Sequence, residues 1–455
     1  MRITIVGGGK VGLSLAQNLV QEKHEIILID TNEEVIEKTS NALDMIGYVG
    51  NGASFAVLKS VEIESCDLLI AVTGSDELNL LACLSAYKLG AKHTIARIRN
   101  PEYADHLFEL KKDLGLSMFI NPEKAAAEEI ARILRFPSAS RVELFARGRI
   151  ELASFRLPAN NILVNKPLST LGAKLGIKVL ICAVSRDGEL FIPRGNFVLH
   201  AGDELYLTGD PQDMEAAFHR MNLYVNPVKN VMITGGGRIS YYLAKTLRDR
   251  KMNIKIFERD KEAAALLAEA LPEAVILNAD ADDHDILLEE GLDKADAFVA
   301  LTGLDEGNIL SALNALKTNV PKVIAKVNRD NMLSISETLG IESLISPKLS
   351  MINEILRYVR ALDASRAQDH ILSLYKLFGG RIEVIEFAAE TEIPNLTDIP
   401  LSSLNLKPDL LVACLVRGKK TIVPRGQDKI MQGDGVLIVS ARSGLNELSD
   451  IIADD

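Results

Sequence analysis

No run of about 18 apolar residues occurs anywhere in this 455-residue chain, which argues against a membrane-spanning helix. Cysteine is scarce: Cys66, Cys83, Cys182 and Cys414 lie far apart, with no Cys-x-x-Cys pair and no histidine at metal-ligand spacing. Four buried, reduced thiols are therefore expected, and no metal site. Positive charge is also in deficit. A formal net charge of -11 disfavours both a nonspecific binder of duplex nucleic acid and simple adsorption to anionic lipid. Nothing resembling a secretory signal precedes the first strand, which Met1-Arg2-Ile3-Thr4-Ile5-Val6 enters directly, so the protein is expected to begin and remain in the cytoplasm.

Apolar residues make up 47% and charged residues 25%, the balance of an ordinary globular protein, and the length suffices for three or four compact domains. Internal repetition organises that length. Ile3-Thr4-Ile5-Val6-Gly7-Gly8-Gly9-Lys10-Val11 returns as Val231-Met232-Ile233-Thr234-Gly235-Gly236-Gly237-Arg238-Ile239. Ala71-Val72-Thr73-Gly74-Ser75-Asp76-Glu77-Leu78-Asn79 returns as Ala300-Leu301-Thr302-Gly303-Leu304-Asp305-Glu306-Gly307-Asn308. Further on, Ile120-Asn121-Pro122 matches Ile345-Ser346-Pro347, and Pro193-Arg194-Gly195 with Gly202-Asp203 matches Pro424-Arg425-Gly426 with Gly433-Asp434. The duplication covers essentially the whole chain.

Each half begins with short β-branched runs, such as Glu25 to Ile29 and Leu68 to Val72, alternating with helical stretches such as Leu78 to Leu89. That alternation predicts an α/β fold with a parallel sheet flanked by helices. Each half ends in shorter strands and turns (Val179 to Val184, then Asp187-Gly188; Glu204 to Leu207), which predict a small α+β lobe. Linkers are expected near Phe136-Pro137, Asn226-Pro227 and Ala361 to Asp369. Pro122 to Leu134 and Pro347 to Val359 read as helices with apolar stripes (Ala126, Ile130, Ile133, Leu134; Ile352, Ile355, Leu356, Val359), free to pack on their own domain or on a second subunit.

The pattern Gly7-x-Gly9-x-x-Gly12 follows a predicted strand and opens a helix, and Asp30 closes the next strand. Strand, glycines, helix and strand-terminal acid together form the dinucleotide fingerprint: the glycines let phosphates approach backbone N–H groups at a helix N-terminus, and the acid accepts from a ribose diol. The second half offers Gly235-x-Gly237-x-x-Ser240 with Glu258 in the place of Asp30. Ser240 in the third glycine position predicts slightly looser packing of helix on strand. Asp30 and Glu258 would repel a ribose 2′-phosphate, which favours an unphosphorylated adenosine ribose; Arg259 weakens that preference in the second half.

Lys10 and Arg238 sit just inside a helix N-terminus, where a cation opposes the helix dipole unless an anion lies between them. Arg97 and Lys326 end equivalent strands on the carboxyl edge, where ligands of such sheets bind. The segments beginning Thr73-Gly74 and Thr302-Gly303 occupy the same edge, with their acids expected chiefly as helix-start residues. Asn51 and Asp280 follow the third strand of each half, at the rim where an adenine could sit or where a turn could need them.

With these residues laid out, the chain resembles the TrkA family, peripheral subunits of bacterial and archaeal Trk potassium uptake systems built from two tandem RCK (KTN) domains. The resemblance covers the whole chain and rests on the two Gly-rich loops, Asp30 and Glu258, the repeated Thr-Gly-x-Asp-Glu-x-Asn segment and the two Pro-Arg-Gly turns. It implies a Rossmann-like RCK N domain at 1–136, an RCK C domain at 137–227, a second RCK N domain at 228–362 and a second RCK C domain at 363–455. It implies NAD(H), and also ATP or ADP, as ligands of Gly7, Gly9, Lys10, Val11, Gly12, Asp30, Asn51, Thr73 and Arg97. The second set is Gly235, Gly237, Arg238, Glu258, Asp280, Thr302 and Lys326. It further implies a homo-oligomeric ring, dimer or tetramer, held at the inner face of the cell membrane by a TrkH-like or TrkG-like potassium transporter.

Two other classes compete with a nonenzymatic sensor. An NAD-dependent oxidoreductase needs a proton-transfer group beside the nicotinamide. Tyr241-x-x-x-Lys245 mimics the pair of short-chain dehydrogenases but lies on the helix opened by the second Gly loop, and the seven histidines, from His24 to His370, are scattered without repeat partners. A redox-sensing transcription regulator needs a helix-turn-helix with basic recognition residues, and no such segment stands out.

Overall fold

A computed structural model describes the chain apart from residues 137–138, 140, 146–149, 170–178, 224–226, 249–251, 282, 330, 333–338, 342, 365–370, 378–380, 419, 442–443, 446 and 454–455. Of the expected linker positions, Pro137, Asn226 and 365–369 lie outside the described residues, as does His370.

The apolar runs of the first half form strands β1 (Arg2–Val6), β2 (Glu25–Asp30), β3 (Ile46–Val49), β4 (Leu68–Ala71), β5 (His93–Arg97) and β6 (Met118–Ile120). Helices α1 (Lys10–Gln21), α2 (Glu33–Ala42), α3 (Phe55–Ser60), α4 (Asp76–Lys88) and α5 (Pro101–Leu110) cross between them. The sheet order is β3-β2-β1-β4-β5-β6, with every neighbouring pair parallel. Parallel strands joined by helical crossovers are covered on both faces, which is why β1, β2 and β4 are apolar along their length and not in alternation. Ile3, Ile5, Ile27, Leu28, Leu69 and Ile70 are all buried, each contributing about 2 kcal/mol of burial.

Helix α6 (Pro122–Arg135) leads to an antiparallel sheet of β7 (Arg141–Phe145), β8 (Ile150–Arg156), β9 (Leu180–Arg186), β10 (Glu189–Phe191) and β11 (Glu204–Gly209), followed by α7 (Pro211–Arg220). Its order is β10-β9-β11-β8-β7. Asp187 and Gly188 join β9 to β10 with φ of 51° and 83°, the left-handed pair that a two-residue hairpin requires.

The second half repeats the plan. Strands β12 (Asn230–Thr234), β13 (Asn253–Glu258), β14 (Val275–Asn278), β15 (Ala297–Ala300), β16 (Lys322–Lys326) and β17 (Ser343–Ile345) lie in the order β14-β13-β12-β15-β16-β17. Their helices are α8 (Arg238–Leu247), α9 (Lys261–Ala270), α10 (His284–Glu289) and α11 (Asp305–Lys317), and α12 (Pro347–Ala364) follows. The last sheet comprises β18 (Ile371–Leu377), β19 (Ile382–Ala388), β20 (Leu410–Arg417), β21 (Lys420–Ile422) and β22 (Gly435–Ser440) in the order β18-β19-β22-β20-β21, the same topology as β7-β8-β11-β9-β10. The fold is thus α/β, two Rossmann-like parallel sheets each followed by a small α+β lobe.

The repeated Gly-Asp pairs of the small lobes have a structural role. Asp203 is almost fully buried and accepts from Arg186 Nε at 2.7 Å, Arg186 Nη2 at 2.8 Å and the His200 N–H at 2.8 Å. Asp434 accepts from Arg417 Nε at 2.8 Å, Arg417 Nη2 at 2.7 Å and the Met431 N–H at 2.9 Å. Each bidentate pair ties a strand to the turn before its neighbour.

Two compact units result: Met1–Glu128 with Ile345–Leu356, and Glu129–Leu344 with Arg357–Asp455. The first half of α12 therefore joins the unit formed by the first half of the chain, while its remainder, with Val359, stays with its own half. Within the second unit, Ile150, Leu152 and Cys182 of one small lobe share a core with Ile382, Ala413 and Val439 of the other. Among the described residues, no helix is long and apolar enough to cross a membrane.

Candidate functional site

The first parallel sheet reverses its strand order between β1 and β4, and a cleft of about 550 Å³ opens there at the carboxyl edge. Gly7, Gly9, Lys10, Val11, Asp30, Asn51, Thr73 and Arg97 all line it. Gly12 does not: it lies beneath the turn, where a Cβ would stand 1.8 Å from the Gly7 carbonyl oxygen. Its part is to let α1 approach β1 closely.

The glycines have distinct duties. Gly7 takes a φ of +106°, and a Cβ there would press to 3.0 Å from the Thr73 backbone nitrogen. Gly9 has ordinary extended backbone as the N-cap of α1, with no side-chain cap, and a Cβ there meets nothing within 4 Å. The first N–H groups of a helix have no intrahelical acceptor, so α1 points uncapped donors and the positive end of its dipole at this open space. Lys10, its exposed first residue, adds a full positive charge.

Asp30 is fixed by two backbone donors: Gly8 N–H at 2.6 Å on Oδ2 and Asn32 N–H at 2.8 Å on Oδ1. Each oxygen retains a lone pair for a hydroxyl. Arg97 donates from its guanidinium to the Thr73 carbonyl. Burial, with Arg99 nearby, lowers its pKa, so its positive charge is poorly solvated and an anion in the cleft would offset that cost. Asn51 makes an Asx turn, accepting the Ala53 N–H at 3.0 Å, and also lines the cleft.

The second half rebuilds these elements. Gly235 has a φ of +92° against Leu301 and Thr302. Glu258, one methylene longer than Asp30, accepts the Gly236 N–H at 2.7 Å and the Asp260 N–H at 2.8 Å. Gly237 caps α8 as Gly9 caps α1, again with open space above it, and Arg238 is the exposed first residue of the helix. Lys326 reaches back to the Leu301 carbonyl at 3.3 Å. Asp280 is exposed, 3.9 Å from Arg259. The Ser240 hydroxyl donates to the Gly235 carbonyl, so the extra atoms meet the strand through a hydrogen bond.

The acids of the repeated Thr-Gly-x-Asp-Glu-x-Asn segment stand in the first turn of their helices, as expected, and Asp76 and Asp305 also reach to a neighbouring loop. Asp76 is buried and accepts from the Arg99 and Asn100 N–H groups at 2.8 and 2.7 Å. Asp305 accepts from Asn328 and Arg329 N–H at 3.0 and 2.9 Å. Burial pushes its carboxyl upward, but these hydrogen bonds outweigh that and hold its pKa below the ordinary value. The fully buried Asn79 accepts from Thr73 N–H at 2.8 Å and donates to the Arg97 carbonyl at 2.9 Å; Asn308 does the same for Thr302 and Lys326, at 2.8 and 3.0 Å. The segment is thus the frame that sets the ends of β4 and β5 beside the cleft, and of β15 and β16 in the second half.

The cleft also includes Val6, Ile29, Thr31, Gly50, Gly52 and Leu78, which the fingerprint leaves out. Val6 and Ile29, directly before Gly7 and Asp30, were findable as strand-end neighbours; Leu78 on α4 carries no motif signal. Lys245 Nζ sits 4.5 Å over the Tyr241 ring, a packing contact. All four cysteines are buried, and burial pushes Cys83, Cys182 and Cys414 up to about 12, far from a reactive thiolate.

Residues 3–122 and 231–347 each match the TrkA-N domain family, and residues 152–222 match the TrkA-C domain family. The chain is 34% identical to the Trk system potassium uptake protein TrkA homolog 1 of Methanosarcina mazei, over 98% of this chain and 99% of that one. It is 32% identical to the Trk system potassium uptake protein TrkA of Haemophilus influenzae, over 96% and 95% respectively. In structure it is similar to the GsuK RCK domain, with a TM-score of 0.62 at 17% identity, covering 96% of this chain and 92% of that one. The GsuK channel bound to NAD gives a TM-score of 0.62 at 16% identity, covering 96% and 76%.

Proposed function

The chain belongs to the TrkA family, and from that premise we propose that it is a nucleotide-binding regulatory subunit that gates a Trk-type potassium uptake system without catalysing a reaction. The observation that carries this reading is the doubled constellation: an open, uncapped helix N-terminus at Gly9 and Gly237, with a cation just inside it and a backbone-pinned acid at Asp30 and Glu258. Diphosphate would lie on the turn between helix dipole and cation, and the ribose diol on the acid.

NAD(H), ATP and ADP share that diphosphate and ribose. NAD is the ligand of one structural neighbour, the GsuK channel, and ADP is bound in another GsuK structure. In this chain the residues proposed to hold such ligands are those given above, with Gly12 acting beneath the turn. A ligand that binds two arrangements of the lobes unequally shifts the population between them, with couplings of about 1–3 kcal/mol. A ring of copies would pass that shift to a TrkH-like or TrkG-like membrane transporter, with this chain peripheral on the cytoplasmic face.

Potassium uptake should be measured in cells lacking this chain, after complementation with the wild type or with Gly9→Leu. The wild type should restore uptake, and the variant, which fills the phosphate position of the first cleft, should restore it less. Equal uptake with both would count against the proposal. Sustained NADH oxidation with carbonyl substrates, dependent on the purified chain, would favour the oxidoreductase reading instead.

A further inference from the structure

Strand order decides which part of a nucleotide meets which residue. Along the carboxyl edge, β3, β2, β1, β4 and β5 present Asn51, Asp30, the Gly7–Gly9 turn, Thr73 and Arg97 in that sequence. If diphosphate lies on the turn and its ribose on Asp30, the base carried by that ribose falls at Asn51. This step rests on the nucleotide reading above.

The amide of Asn51 is oriented by its own turn. The Ala53 N–H donates to Oδ1 at 3.0 Å, and a backbone donor there requires oxygen, not nitrogen. Asn51 therefore brings to the cleft an amide that donates through Nδ2 and keeps one lone pair on Oδ1 to accept with. The repeat places Asp280 at the same position in the second half, a carboxylate that only accepts.

Purines differ in the same sense. The 6-amino group of adenine donates, whereas the 6-oxo group of hypoxanthine or guanine accepts; N7 accepts in both. A carboxylate favours the amino group and repels the oxo group, while an amide N–H pairs with the oxo group or with a ring nitrogen. We infer that Asn51 makes the first cleft tolerant of 6-oxopurine nucleotides, where a carboxylate in its place would select 6-aminopurines.

The test uses the full chain carrying Gly237→Leu, which obstructs the second glycine turn, titrated calorimetrically with ADP and with inosine diphosphate. Affinities within about threefold of each other are expected, and Asn51→Asp, which keeps the turn acceptor, should shift the ratio toward ADP by about tenfold. A strong preference for ADP before that substitution, or a ratio unmoved by it, overturns the inference while leaving nucleotide binding intact. Failure of both nucleotides to bind overturns the inference together with the reading beneath it.

Discussion

The buried side-chain amide of Asn79 donates to the main-chain carbonyl of Arg97 across 2.9 Å, joining the start of α4 to the end of β5. Because the same amide accepts the Thr73 N–H at 2.8 Å, one side chain sets two residues of the cleft wall. Asn79→Ala should cost about 2–3 kcal/mol, since it leaves buried backbone groups unpaired. It should also weaken nucleotide binding, although Asn79 itself stands behind the cleft wall and does not line it. Denaturant titration and calorimetry on one preparation check both; unchanged stability would show the amide to be dispensable.

The glycines separate folding from binding. Gly9→Leu and Gly237→Leu should remove nucleotide binding from one cleft each with the melting temperature nearly unchanged, because neither new side chain meets protein within 4 Å at its Cβ. Gly12→Ala should instead destabilise by about 1–3 kcal/mol, since its Cβ would overlap the Gly7 carbonyl. Thermal melts with and without ADP distinguish the classes.

Asp30→Ala should weaken nucleotide binding at the first cleft and also lower stability by about 1–2 kcal/mol, because the Gly8 and Asn32 N–H groups lose their acceptor. The fold should stay intact, with the loss of the two backbone hydrogen bonds read as lower stability. Parallel chemical denaturation of wild type and variant gives the difference directly.

How much was legible follows from how local each signal is. The glycine turn, the helix after it and the acid ending the next strand lie within one βαβ unit, and the structure assembles Gly7, Gly9 and Asp30 as that spacing implies. Asp76 and Asp305 are legible as helix-start residues, and they do open α4 and α11, but that local signal does not show where their carboxylates bond. Their real partners, near Asn100 and Arg329, lie across the loop that follows the next strand, and nothing local marks them. The placement of α12 was hidden for the same reason: an apolar stripe says that a face is buried, and not against what.

Acid should destabilise the protein in a defined window. In Asp305 and Asp203, burial raises the carboxyl pKa, but hydrogen bonds, to Asn328 and Arg329 and to Arg186 respectively, bring both below the ordinary value. A carboxyl whose folded pKa is depressed contributes fully above its unfolded value of about 3.9, and that contribution is lost as pH falls through the folded pKa. Melting temperatures from pH 6 to pH 3 should therefore fall most steeply below about pH 4. Asp203→Asn, which weakens the pair between buried Asp203 and partly exposed Arg186, should cost about 1–3 kcal/mol at neutral pH and flatten that slope.

Calorimetric stoichiometry on the full chain tests the central claim most directly. The wild type should take up two ADP molecules per chain, Gly9→Leu and Gly237→Leu one each, and the double variant none. A wild type that binds no ADP, NAD or NADH, or a double variant that binds as the wild type does, would contradict the assignment of both glycine turns.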